Sequence, residues 1–119
     1  MDTAQLAVEL FQCYPQYVVG VDLGGDLTKN DFCHFEPALK VAQEAGLKIT
    51  LHCGEIPCSE EGSEAFAEAQ AMVDFAPHRL GHALLLPPLL RQQVMDLQIP
   101  VECCPTSNVM TYGIGHLLW

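Results

Sequence analysis

EPALKVAQEAGLKITLHCGE, residues 36 to 55, holds a helix, its stop and a strand in one run. Ala38, Val41, Ala42 and Ala45 fall on one side of a helix of about three turns, with Pro37 suited to the first turn and Gly46 to the C-terminal cap. KITLHC then has the continuous apolar character of a strand buried on both faces. His52 stands next to the end of that strand, and a carboxylate, Glu55, follows three positions later.

Similar units flank this run. Residues 3 to 13 space Ala4, Ala7, Val8 and Phe11 as a helix that Pro15 stops, YVVGVDL (17 to 23) reads as a strand, and DLTKNDFCH (26 to 34) as a polar loop. After the loop IPCSEEGS, Phe66, Ala69, Val73 and Ala76 mark a helix near Glu64 to Phe75. HRLGHALL (78 to 85) is a third strand, Leu90, Val94 and Leu97 give a helix face after Pro87 and Pro88, and IPVECC (99 to 104) is a fourth strand. Strands that alternate with helices of this length lie parallel and are joined by right-handed crossovers. The expectation is one α/β domain of about four parallel strand-helix units, with no linker or low-complexity tract to divide it. PTSNVMTYGIGHLLW (105 to 119) shows no clear period, and the pattern looks interrupted there.

The chain has 119 residues, 50% of them hydrophobic, which suits a single globular core. Its formal net charge of −10 works against nucleic-acid binding, which draws on Lys and Arg to neutralise phosphates, although a small nucleotide needs only a few local donors. No signal-peptide pattern follows Met1, and no run reaches the roughly 18 apolar residues of a membrane span, so a cytosolic protein is expected. Of the six cysteines, Cys53, Cys103 and Cys104 lie in strand-like runs and read as reduced thiols. No C-x2-C pair occurs, and Cys103 and Cys104 in a strand point to opposite faces, which argues against a cysteine zinc site.

In parallel α/β arrangements ligands gather at the carboxyl ends of the strands. Four strand ends here carry polar residues: Asp22 with Gly24 and Gly25, His52 with Glu55, His82, and Thr106 with Ser107 and Asn108. Each has a structural reading as well. A histidine at a strand end is commonly satisfied by a backbone carbonyl, Glu55 suits a solvated loop, Asp22 an Asx-turn, and Gly24-Gly25 a tight turn. GVDLGGD lacks the G-x-G-x-x-G spacing and the lysine of a phosphate loop, and Ser107 lacks the G-x-S-x-G elbow of a nucleophile. His34, His78 and His116 are assigned to loops and surface. If His52, Glu55 and His82 act together, they suit a zinc ion: an imidazole ligand, a carboxylate reaching over a metal-activated water, and a second imidazole to orient or deprotonate it, with Cys53 turned into the wall. Pattern alone leaves both readings open.

VVGVDLGGD, LHCGE, RLGHA and VECCPTSN, in this order and spacing, resemble the strand ends of the adenosine deaminase superfamily over about residues 17 to 110, with a divergent tail at 111 to 119. LHCGEIP, QAMVDFAPHRLGHA and IPVECCPTSNVMT look most like its members that act on N6-methyl-AMP. The resemblance implies a TIM (β/α)8 barrel, present here in part, and zinc-dependent hydrolysis at purine C6. N6-methyl-AMP would give IMP and methylamine, and adenosine is the alternative substrate. By the resemblance His52 is a zinc ligand, Glu55 the proton donor to purine N1, His82 the residue that orients and deprotonates the water, and Gly25 a backbone contact to the purine. Asp22 and Ser107 are weaker substrate-binding candidates, and Lys29 with Thr106 and Ser107 could hold a phosphate. The family's H-x-H motif and Asp-Asp pair are absent from the 119 residues, so one of four expected zinc ligands is present. A catalytically inactive half-barrel that associates through unpaired sheet edges is the third expectation.

Overall fold

The computed structural model describes residues 3–26, 29 and 32–112. Nine elements alternate: α1 (Thr3–Cys13), β1 (Gly20–Leu23), α2 (Phe32–Glu44), β2 (Lys48–Cys53), α3 (Glu64–Asp74), β3 (Arg79–His82), α4 (Pro88–Asp96), β4 (Val101–Glu102) and α5 (Pro105–Tyr112). The four strands form one parallel sheet in the order β1-β2-β3-β4. Sequential neighbours thus pair directly, as in a partial barrel wall.

Alternation along each strand sorts its side chains. Ile49, Leu51, Cys53 and Leu80 are fully buried with Leu39, Ala42, Leu47, Ala69, Val73 and Leu90 in a core between the sheet and the helices. Register places Gly20 beside Lys48, Asp22 beside Thr50, Thr50 beside Arg79, and His52 beside Gly81 on the other face. That face carries a groove of ≈ 480 Å³ lined by Asp22, Lys48, Thr50, His78 and Arg79 among others. The Cα radius of gyration is 14.9 Å, larger than the about 13.5 Å of a compact globule of this length, because the sheet is open. Among the described residues no helix is long and apolar enough to cross a membrane.

The bounds of α1 and β2 coincide with the sequence expectation, and Gly46 takes a φ of 99° after α2 as a C-terminal cap does. Other elements differ. α2 begins at Phe32, inside the expected loop, so Pro37 sits within the helix and His34 lies exposed on α2. The cause is tertiary: Phe32 is buried, its ring packs edge-on against Phe75 at 5.9 Å, and its N–H donates to Glu68 Oε1 of α3 at 2.8 Å. β1, β3 and β4 are shorter than expected, β3 stopping at His82 where the backbone turns to positive φ. Cys103 and Cys104 lie past β4, so they do not alternate across a strand, and PTSNVMTY forms α5. His116 and the tail 113–119 lie outside the described residues.

His78 is the other correction. It is half-buried where β3 begins, and its Nδ1 accepts the Ile49 N–H at 3.0 Å. Burial, aided by the Lys48 charge, pushes its pKa below the ordinary histidine value. The unfolded chain therefore takes up this proton at a higher pH than the folded chain. The stability contributed by neutral His78 is complete above about 6.5, its unfolded pKa, and is lost as pH falls through that value towards the lower folded pKa. The urea midpoint is expected to fall between pH 7.5 and 5.5, and His78→Asn, which keeps an acceptor but does not titrate there, is expected to reduce that slope.

Candidate active site at the strand ends

His52 is the penultimate residue of β2, on the open face between two neighbours that lack side chains. A Cβ at Gly24, after β1, would stand 2.8 Å from His52 Cε1, and one at Gly81 of β3 would stand 3.4 Å from Cδ2. The glycines make the slot in which the imidazole lies. His52 Nε2 is 3.2 Å from Asp22 Oδ2 on β1, which fixes the ring from one side.

After Cys53 the chain turns at Gly54, whose φ of 67° glycine adopts without cost. A Cβ there would also strike Leu86 Cγ at 2.9 Å. This turn delivers Glu55 above the strand ends, where Oε2 lies 3.4 Å from His82 Nε2 and Oε1 accepts the Ser107 Oγ–H at 3.0 Å.

His82 ends β3. Its register partner is Cys53, which points into the core, so regular alternation would bury His82 beneath the helices. Instead the backbone leaves the strand conformation at His82 and Ala83, with φ of 68° and 54°. The imidazole meets that of His52 with ring centres 5.0 Å apart. Non-glycine residues held in this region mark places where local strain is outweighed by the surrounding structure. His82 is buried, and its Nδ1 has no hydrogen-bond partner among the described residues.

One potential ligand atom from each of His52, Glu55 and His82 lies within 4.8 Å of the others. The three sequence candidates are thus brought together, and their donors are of the class that binds zinc and related divalent ions. Cys53 is turned away, and burial foremost, with Cys58 and Glu68 adding to it, pushes its thiol up to about 12. Among the described residues nothing lies within 4 Å of where a Gly25 Cβ would stand, and Gly25 borders a small cavity of ≈ 70 Å³ with Leu23, Phe35 and Met72. Asp22 and Ser107 are engaged by His52 and Glu55 respectively. Thr106 and Lys29 are exposed, and nothing described draws them to the cluster. The Asp22–His52 and Ser107–Glu55 contacts were not read from the sequence. The only trace of them there was that all four residues lie at strand ends.

Gly24→Ala is expected to drive the His52 ring from its slot, break the Asp22 contact and lower stability by about 1–3 kcal/mol, the range for overpacking. Urea denaturation and the His52 ring signals in NMR check this.

Three comparisons bear on this geometry. Residues 2–116 match the family model described as Adenosine deaminase. The chain is 40% identical over 117 residues to an N6-mAMP deaminase of Arabidopsis thaliana, covering 98% of this chain and 30% of that protein. It is 40% identical over 122 residues to an N6-Methyl-AMP deaminase of Mus musculus, covering 95% and 31%. Among solved structures, Arabidopsis N6-mAMP deaminase superposes with a TM-score of 0.77 at 38% identity, covering 98% of this chain and 34% of that one. Arabidopsis ADAL complexed with IMP gives a TM-score of 0.77 at 38% identity, covering 98% and 33%. The chain spans about a third of the length of these relatives.

Proposed function

The chain belongs to the adenosine deaminase family, and we propose that it forms part of the active site of a hydrolase that removes the C6 substituent of a purine nucleotide. N6-methyl-AMP is the favoured substrate, with IMP and methylamine as products, and adenosine is the alternative. The observation that carries the reading is the convergence of His52, Glu55 and His82 within 4.8 Å at adjacent strand ends. The named relatives support the substrate, and the IMP complex of a neighbour corresponds to the expected product.

The donors fit a zinc ion. A carboxylate on one imidazole nitrogen, as Asp22 is on His52 Nε2, leaves the other for a metal and fixes the ring, the usual support of a metal-bound histidine. Gly24 and Gly81 keep the space beside the ring clear. In this reading His52 holds the zinc, which when bound makes water nucleophilic near neutral pH. His82, whose Nε2 is turned to the cluster, orients the attacking water and takes its proton. Glu55 delivers a proton to purine N1 as water adds to C6, and the amine then departs. The Gly25 backbone lies along the purine, with Asp22 at its margin. Thr106 and Lys29 are the candidates for the phosphate.

The test is conversion of N6-methyl-AMP to IMP and methylamine by the protein carrying this chain, with Zn²⁺ supplied. Glu55→Gln is expected to lower turnover by about 10²–10⁴-fold, the scale of general acid–base catalysis, while zinc content stays unchanged. Faster turnover of adenosine would overturn the substrate assignment, and an active Glu55→Gln would remove Glu55 from its role.

A second reading draws on the ligand count. The 119 residues contain neither an H-x-H nor an Asp-Asp pair, and a chain supplying one zinc ligand of four holds the metal weakly. Acting alone, such a chain is an inactive segment that associates through its β1 and β4 edges. Stoichiometric zinc in the isolated chain decides against that reading.

A further inference from the structure

Ser107 lies in α5, 52 residues from Glu55 in the chain, yet its hydroxyl donates to Glu55 Oε1 at 3.0 Å. The other oxygen, Oε2, faces His82 Nε2 at 3.4 Å. Glu55 itself stands beyond the end of β2, after the Gly54 turn, where no strand or helix fixes its backbone. A glutamate side chain has several rotatable bonds, and holding one rotamer costs conformational entropy. Here α5 grips one oxygen and β3 faces the other. Asn108, the next residue of α5, is buried, so this end of the helix is packed against the fold.

We propose that Ser107 is a positioning residue for Glu55 and makes no contact with the substrate phosphate. The inference rests on the reading of Glu55 as proton donor given above. A serine hydroxyl has one O–H, and that donor is committed to Oε1. An oxygen that accepts this bond stays an acceptor whether the carboxyl is charged or neutral. The transferable proton therefore belongs on Oε2, the oxygen turned to His82. In passing that proton to purine N1, the O–H bond at Oε2 breaks, the N1–H bond forms, and the carboxylate left behind keeps the Ser107 bond at Oε1. Ser107 so divides the two oxygens: one is held, the other carries the proton.

The test uses Ser107→Ala and Ser107→Thr, with two measurements. In NMR spectra of the chain, wild type is expected to show a single Glu55 side-chain rotamer by its Cβ and Cγ proton couplings. Ser107→Ala is expected to average that rotamer while the backbone amide spectrum away from α5 stays the same, and Ser107→Thr is expected to restore it. In turnover of N6-methyl-AMP, Ser107→Ala is expected to lower kcat by about tenfold, the scale of one charge-assisted hydrogen bond. KM should stay within about twofold, and Ser107→Thr should recover most of kcat. A Glu55 rotamer unaffected by Ser107→Ala, or a raised KM at unchanged kcat, overturns the proposal. Absence of turnover in the unsubstituted protein overturns the proposed function instead, and the rotamer measurement then decides this inference by itself.

Discussion

Strict alternation along β2 governs the rest of the structure. Ile49, Leu51 and Cys53 are sealed under the helices, so Thr50 and His52 between them have no choice but the opposite face. A slip of one residue would expose Leu51 to water and press the His52 imidazole into the apolar core. Pairing on both sides, with β1 through Lys48–Leu51 and with β3 through Thr50–Cys53, locks that register. The packing of the helices therefore aims His52, and the neighbouring strands supply what surrounds it: Asp22 and Gly24 from the β1 side, Gly81 and His82 from the β3 side.

His82 reaches the same place by the reverse route, since its register places it with Cys53 and only a departure from strand geometry brings its ring to that of His52. Two consecutive residues with positive φ are unfavourable for side chains larger than glycine, by about 1–3 kcal/mol each. The backbone there is held by the Ala83 N–H to Cys53 O bond at 2.7 Å and by the Leu85 N–H to Gly54 O bond at 2.9 Å. The turns after β2 and β3 thus support one another. Glu55 and His82 are carried on these paired turns, which fix where the two side chains start, and the Ser107 hydroxyl holds the Glu55 carboxylate at the end of its own.

Local signals were legible in the sequence and distant ones were not. Periodicity and stops marked α1 and β2 to the residue and α3 to within one, because burial pattern and capping act over a few positions. Polar residues at strand ends marked His52, Glu55 and His82 because α/β topology turns all those ends one way. The start of α2 has no local signal, since what fixes it is Glu68, 36 residues away, which bonds the Phe32 N–H. α5 was missed because PTSNVMTY is short and has little apolar periodicity. His78 has no local sign of burial either, because the group that holds it is a backbone N–H of β2, 29 residues away. The contacts of Asp22 with His52 and of Ser107 with Glu55 have no local signal, because each joins residues 30 or more apart in the chain.

Cys53 lies between His52 and Gly54 in the chain, at the strand end that carries the site. With its thiol pushed up to about 12, it stays neutral at any physiological pH, and a neutral thiol neither attacks electrophiles nor binds soft metals well. Cys58, also buried, has a thiol shifted in the same direction. Peroxides and alkylating agents therefore meet Cys13, Cys33 and Cys103, which are exposed, long before they meet Cys53. The strand that places the imidazole thus shields its own cysteine, whereas the exposed Cys103 lines a cavity of ≈ 300 Å³ together with His82 and is the sulfur whose oxidation would be felt at the cluster.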